Sequence, residues 1–276
     1  MDFDKSEDEG IMGLVKMGSE MTGSAIATVA GFFIAGPGGA AVGAAASPLL
    51  IREINKIGND VAERYLSERE RVRIGAVIIY AKYKISKNLE AGKQPRSDFT
   101  EIPVEKHPAC TEIPFVVRPS AEEIIEGVLL AAQREHEEKK VPFLGNLLGN
   151  IAFDLDIDKE QANLLIKLGK DLSFRQLCLL SLFASSTEYW LRDGSYEDLY
   201  LKGEFFSHLE RVALLQEIKD LTTQELLSCG GDPIIEMQDI EPKKMKVQGM
   251  GIVLCNLMEL GKIDTVELKS IVSLLQ

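Results

Sequence analysis

Gly36-Pro37-Gly38-Gly39-Ala40-Ala41 has the form G-x-G-x-x-A and follows a strand-like stretch, residues 30–35. On a strand-to-helix turn such glycines let backbone approach a pyrophosphate at a helix N-terminus. That chemistry also needs a second strand ending in an acidic residue about 20 residues further on. Residues 52–70 read instead as a charged helix, so a dinucleotide enzyme ranks behind the two functions argued below. No Lys-Ser/Thr pair follows the glycines, which excludes a phosphate-cradling P-loop.

Asp154-Leu155-Asp156-Ile157-Asp158 opens like a calcium loop. Such a loop needs Gly at its sixth position and Glu at its twelfth. Lys159 and Leu165 stand there, so the segment reads as a turn and a helix cap. His107 adjoins a proline, His208 stands apart, and His136 lies in Arg134-Glu135-His136-Glu137-Glu138, which reads as a solvated helix face. Cys110, Cys178, Cys229 and Cys255 form no C-x-x-C; Cys178 and Cys255 sit in apolar helical contexts, as buried reduced thiols do. The chain contains no H-E-x-x-H, no paired Cys/His set and no G-x-S-x-G. No enzyme, no cofactor and no metal site is therefore expected. Trp190 follows Glu188-Tyr189 and is expected to anchor a helix end.

The elements around these residues say more than the residues do. Residues 21–51 carry no charged side chain, in a chain whose net charge is −12 and whose residues are 27% charged. Gly, Ala and Ser dominate the stretch. Gly23, Ala27, Gly31, Ala35, Gly39, Gly43 and Ser47 recur every fourth residue, which on a helix makes one smooth ridge. Small-xxx-small ridges let helix backbones touch in lipid, where no hydrophobic drive between helices exists. Gly36, Pro37 and Gly38 form a hinge in that ridge, because Pro removes a backbone donor and Gly is a poor helix former. Two short helices are expected, near 21–35 and 40–51, with Pro48 ending the second early. Each is too short to cross about 30 Å of hydrocarbon alone. The same stretch would also serve as a buried helix pair in a soluble oligomer.

Residues 1–10 carry five acidic residues and one lysine, opposite to a secretory signal. Arg52, Lys56, Arg64, Arg69, Arg71 and Arg73 cluster after the uncharged stretch. A positive-inside bias would then keep the C-terminal bulk in the cytoplasm.

The fold class expected is mainly α. A glycine/alanine-rich hairpin or kinked span leads into a long amphipathic stem over 52–92, with Leu50, Ile54, Ile57, Val61 and Tyr65 on one face. Residues 74–81 are almost wholly apolar but too short to span a bilayer. Five prolines between 91 and 119 mark a linker over 93–119. Beyond it, helices are expected near 121–138, 142–153, 159–170, 174–186, 205–219 and 223–229. Ser120/Glu123, Asp158/Gln161, Ser173/Gln176 and Thr222/Glu225 stand as capping-box pairs. Two short strands, 234–237 and 244–247, and a helix over 249–260 complete a winged-helix-like order within 173–262.

A winged helix usually reads duplex DNA, but 173–262 holds nine Lys/Arg and fourteen Asp/Glu, a net of −5. The helix that would enter the groove carries Glu217, Asp220 and Glu225 against Lys219. Phosphates repel such a surface, so no general duplex binding is expected. Only Lys243, Lys244 and Lys246, on the wing, stand as possible ligand contacts.

Val141-Pro142-Phe143-Leu144-Gly145-Asn146-Leu147-Leu148-Gly149-Asn150-Ile151-Ala152-Phe153, followed by Leu172-Ser173-Phe174-Arg175-Gln176-Leu177, resembles poorly characterised bacterial proteins with a winged-helix-like C-terminal region. The layout as a whole resembles membrane effectors of bacterial anti-phage systems, the Hailong type among them. That resemblance implies a homo-oligomeric channel, such as a tetramer, and an oligonucleotide from a partner nucleotidyltransferase that holds it shut. The expected function is thus a regulated membrane-permeabilising effector gated through its C-terminal domain. The alternative is a soluble winged-helix regulator or adaptor that oligomerises through the Gly/Ala-rich helices.

Overall fold

The computed structural model describes residues 48–62, 66–99, 120–185, 188–230 and 236–276. They are mainly helical, with one two-stranded sheet. The ridge residues Gly23 to Ser47, the hinge and Cys110 lie outside the described residues. The chain divides into two compact units between Lys170 and Asp171, whereas the sequence places its linker at 93–119, most of which also lies outside the described residues.

In the first unit, α1 (Pro48–Ala62) buries Leu50, Ile54, Ile57 and Val61, the stripe expected from their steps of four and three. Pro48 is the first residue of this helix; of the expected helix over 40–51, residues 40–47 lie outside the described residues. The fixed φ and missing N–H of proline suit a first turn, where the N–H has no intrahelical partner.

The single long helix expected to run on from there is two helices. α2 (Glu68–Glu90) starts afresh at a capping box: the Glu70 backbone N–H donates to Ser67 Oγ at 3.4 Å, and the Ser67 N–H donates to Glu70 Oε2 at 2.7 Å. The Ser67 hydroxyl donates to Glu70 Oε2 at 2.6 Å, and this bond first, then that of the Ser67 N–H, holds the Glu70 carboxyl down to about 2. Ser67→Ala is expected to cost about 1 kcal/mol, read as a lower urea midpoint by circular dichroism; no change would mean the helix start is fixed by packing alone.

α2 is sheathed by its neighbours. It packs against α1, α3 (Ser120–Arg134) and α4 (Val141–Ile151), and it buries Ile74, Ile78, Ala81 and Ile85 on one stripe with Val77 and Tyr80 beside it. This is why residues 74–81 are almost wholly apolar. At Gly145 of α4 a Cβ would stand 2.4 Å from Tyr80 Cβ and 3.0 Å from the Val77 carbonyl oxygen. At Gly149 it would stand 2.6 Å from Lys84 Cβ and 3.0 Å from the Ala81 oxygen. The two backbones therefore touch, and Asn88 Nδ2 donates to the Gly149 carbonyl (3.2 Å) and to Asn150 Oδ1 (3.1 Å).

α3 ends at Arg134, four residues short of its expected limit, because Glu135 turns inward. Its carboxylate accepts from the Glu137 backbone N–H at 2.8 Å and meets Lys140 Nζ at 2.5 Å. Lys140 also donates to the Lys170 carbonyl at 2.9 Å, near the end of α5 (Lys159–Asp171). Asp158 and Gln161 cap α5 reciprocally at 2.7 and 2.8 Å, and Asp154 Oδ1 accepts from the Asp156 N–H at 3.1 Å. The aspartate-rich stretch is the turn and cap that its spacing suggests.

In the second unit, α6 (Phe174–Ala184) carries the expected Ser173/Gln176 capping box. It forms the core with Leu177, Leu179, Leu180, Leu182 and Phe183. Around it lie α7 (Glu197–Leu201), α8 (Leu209–Thr223), β1 (Leu227–Cys229), β2 (Met245–Val247), α9 (Met250–Met258) and α10 (Thr265–Leu275). β1 and β2 pair antiparallel with Leu227 opposite Val247 and Cys229 opposite Met245.

β2 falls where a strand is expected; its partner does not. Residues 223–229, read as a helix, supply β1; of the expected strand over 234–237, residues 234 and 235 lie outside the described residues and Met237 opens a 3-10 turn, Met237–Asp239. The Thr222/Glu225 pair fails as a cap because Thr222 sits in the last turn of α8 and its hydroxyl donates back to Ile218 O at 2.9 Å. Glu225 then turns left-handed (φ 57°), which stops the helix. α9 comes so close to the residue before β1 that a Cβ on Gly251 would stand 2.6 Å from the Leu226 oxygen.

Candidate functional site

The expected ligand contacts lie on the edge of the second unit formed by β2 and the loop before α7. Lys243 pairs with Asp193 at 2.6 Å and Lys244 with Glu241 at 2.8 Å. The Lys243 hydrogen bond holds the Asp193 carboxyl below its ordinary value, and the Glu241 hydrogen bond raises Lys244. Lys246 is exposed on β2, opposite Ser228. These pairs are in water, where each contributes little and exchanges readily for another anion.

The Lys243 backbone N–H donates to the Arg192 carbonyl at 3.3 Å, which brings the wing to a second set of cations. Tyr196 is 1% exposed, and its N–H donates to the Gln238 carbonyl at 2.7 Å. The guanidinium of Arg192 lies 4.9 Å from the Tyr196 ring centre and that of Arg211 5.9 Å. Both are cation–π distances. Arg192 is fixed by Nε to the Ser195 carbonyl (2.9 Å) and by Nη2 to Asp198 (2.6 Å). Arg211 Nε donates to the Leu274 carbonyl at 3.0 Å and the Arg192 N–H to that of Leu275 at 3.1 Å. Both therefore meet the last turn of α10, the negative end of its dipole.

Two groups there have capacity to spare. Among the described residues no carboxylate pairs with Arg211, and the buried Tyr196 phenol has no hydrogen-bond partner. Burial pushes that phenol up to about 12, against the pull of the two guanidiniums. It is a neutral O–H donor at physiological pH. A guanidinium with donors to spare suits an oxyanion, which accepts from it.

Arg192, Tyr196 and Arg211 carry no motif. They are joined by the loop after α6, by α8 and by the end of α10, and no local spacing announces that meeting. Of the three acids expected to repel a duplex, Glu217 has an internal use: it accepts from Arg175 Nε at 2.7 Å and Nη2 at 2.9 Å, which ties α8 to α6. Cys178 is buried as expected, while Cys229 and Cys255 are half-buried; all three are free thiols, and burial pushes Cys255 up to about 12. His136 is solvated but lies between α3 and the next turn and not on a helix face. Trp190 is 70% exposed and anchors no core; its carbonyl accepts from Gln276 Nε2 at 3.3 Å.

Among the described residues no group of three or more His, Cys, Asp or Glu side chains is placed to hold a metal ion, and no helix is long and apolar enough to cross a membrane. Comparison of the chain with known protein families, with curated proteins and with solved structures gives no match.

Proposed function

We propose that this chain is a regulated, homo-oligomeric membrane-permeabilising effector of bacterial anti-phage defence. Residues 21–51 enter or line the membrane, and the C-terminal half senses a ligand or partner and controls their exposure. The observation that carries the reading is the absence of any charge from residues 21–51, beside helices whose outer faces are densely charged. Gly and Ala gain little in lipid, so insertion is marginal and easily biased. A gap of a few kcal/mol between sheltered and inserted states is enough for a modest ligand preference to shift. The Arg192–Tyr196–Arg211 cluster, with Lys243, Lys244 and Lys246 beside it, is the place in the second unit for a phosphate-bearing ligand such as an oligonucleotide.

Gly31→Leu or Gly39→Asp, made in the full chain, is expected to abolish growth arrest on expression. The thermal melt of the remaining helices should stay as it was. Growth arrest that survives both substitutions refutes the pore.

The second reading is a soluble winged-helix regulator or adaptor whose Gly/Ala-rich segment is an oligomer core. The antiparallel β1–β2 pair between α8 and α9 favours it. It predicts recovery of the full chain in the soluble fraction without detergent, and duplex binding that falls steeply with salt.

A further inference from the structure

The stretch from α7 to the start of α8 exposes large apolar side chains that its own unit does not cover. Leu201 and Leu209 are each 76% exposed, Phe206 58% and Tyr200 47%. The rings of Tyr200, Phe205 and Phe206 form one patch, meeting edge to face at 5.1–6.4 Å; buried Phe205 roots it in the core, and Leu201 and Leu209 adjoin it in sequence. Contiguous apolar surface of this kind marks an interaction site more often than scattered single residues do.

The charge around the patch selects the occupant. Glu197, Glu204 and Glu210 are exposed, and among the described residues none is held by a cation; Asp198 is taken by Arg192. Arg192 is thereby engaged, and Arg211 is turned to the Tyr196 ring and the Leu274 carbonyl; from 197 to 210 Lys202 is the only Lys or Arg against four Asp or Glu. A bilayer rich in anionic lipid would be repelled. A second copy through the same patch would set like charges against each other.

We infer that the face formed by residues 200–209 docks a basic amphipathic segment of a partner protein. The partner's apolar side chains seat on Leu201, Phe206 and Leu209, and its Lys or Arg meet the acidic rim. This is helix-in-groove or patch recognition with electrostatic steering. The inference holds whether or not residues 21–51 enter a membrane.

The test uses the full chain and a labelled Leu/Lys amphipathic peptide of about five helical turns, followed by fluorescence anisotropy. Leu201→Ser with Phe206→Ser is expected to weaken binding roughly tenfold or more, as loss of central anchors does. Glu204→Lys with Glu210→Lys is expected to weaken it and flatten its salt dependence. Ile252→Ser with Val266→Ser, which changes exposed apolar residues elsewhere in the unit, is expected to leave it unchanged. All six positions are exposed, so the variants should fold, and circular dichroism checks this. Equal binding by the Leu201/Phe206 variant overturns the inference, as does equal binding of a Leu/Glu peptide. Binding to phosphatidylcholine vesicles that depends on Leu201 and Phe206 also overturns it, because the patch is then a membrane foot.

Discussion

Gly145→Val is expected to lower the stability of the first unit by about 3 kcal/mol or more, at the upper end of overpacking costs. The reason is what the new atoms would meet. Even a Cβ at this position falls 2.4 Å from Tyr80 Cβ and 3.0 Å from the Val77 oxygen, and the second contact is backbone. A flexible side-chain tip could rotate away; a carbonyl in the middle of α2 cannot move without dragging the helix. The two γ carbons of valine add to the conflict. The better helix propensity of a non-glycine residue returns at most about 1 kcal/mol. Urea unfolding followed by far-UV circular dichroism reads the loss. Gly149→Val should behave alike, since its Cβ meets Lys84 and the Ala81 oxygen. Gly261→Ala is the control: nothing lies within 4 Å of a Cβ there, so its midpoint should stay near the parent's. A Gly145→Val protein that melts with the parent would mean that α2 and α4 do not meet backbone to backbone.

Lys140→Met is expected to cost about 3–5 kcal/mol, the range for a buried ion pair that loses one member. The Lys140 and Glu135 side chains are 2% and 3% exposed and 2.5 Å apart. Methionine fills the same space but leaves the Glu135 carboxylate without its cation in a place water does not reach. It also leaves the Lys170 carbonyl without the donor that joins the turn before α4 to the end of α5. Two further measurements separate charge from volume. Adding Glu135→Leu to Lys140→Met should restore a large part of the loss, because a pair of apolar residues needs no partner. The difference between parent and Lys140→Met should hardly change between low and high salt, since buried pairs are screened little. If Lys140→Met costs under about 1 kcal/mol, the pair is open to water after all.

What could be read from the residues alone was local. Ser173/Gln176 and Asp158/Gln161 close their boxes within four residues, so their meaning does not depend on the rest of the chain. Ser67/Glu70 is just as local, yet the apolar periodicity on both sides of it suggests one unbroken helix and hides it. Gly145 and Gly149 are four apart, the same small-xxx-small spacing that is conspicuous in 21–51; in a short helix with large apolar neighbours it is easily taken for ordinary sequence. β1 could not be read, because Leu226-Leu227-Ser228-Cys229 has no alternation and its partner, Met245–Val247, is distant in the chain. The Arg192–Tyr196–Arg211 cluster was illegible for a related reason: three segments far apart in sequence build it.

Trp190 has a practical consequence. It is the only tryptophan in the chain, it stands in water, and it is two residues from Arg192 and bonded through its carbonyl to Gln276. Excited near 295 nm, the molecule therefore emits from one known place on the second unit. An indole in water emits toward the red and is open to quenching by iodide or acrylamide, so anything that covers this edge should shift the emission to the blue and shield it. The signal needs no added dye. The melting of the first unit can be followed through its helices.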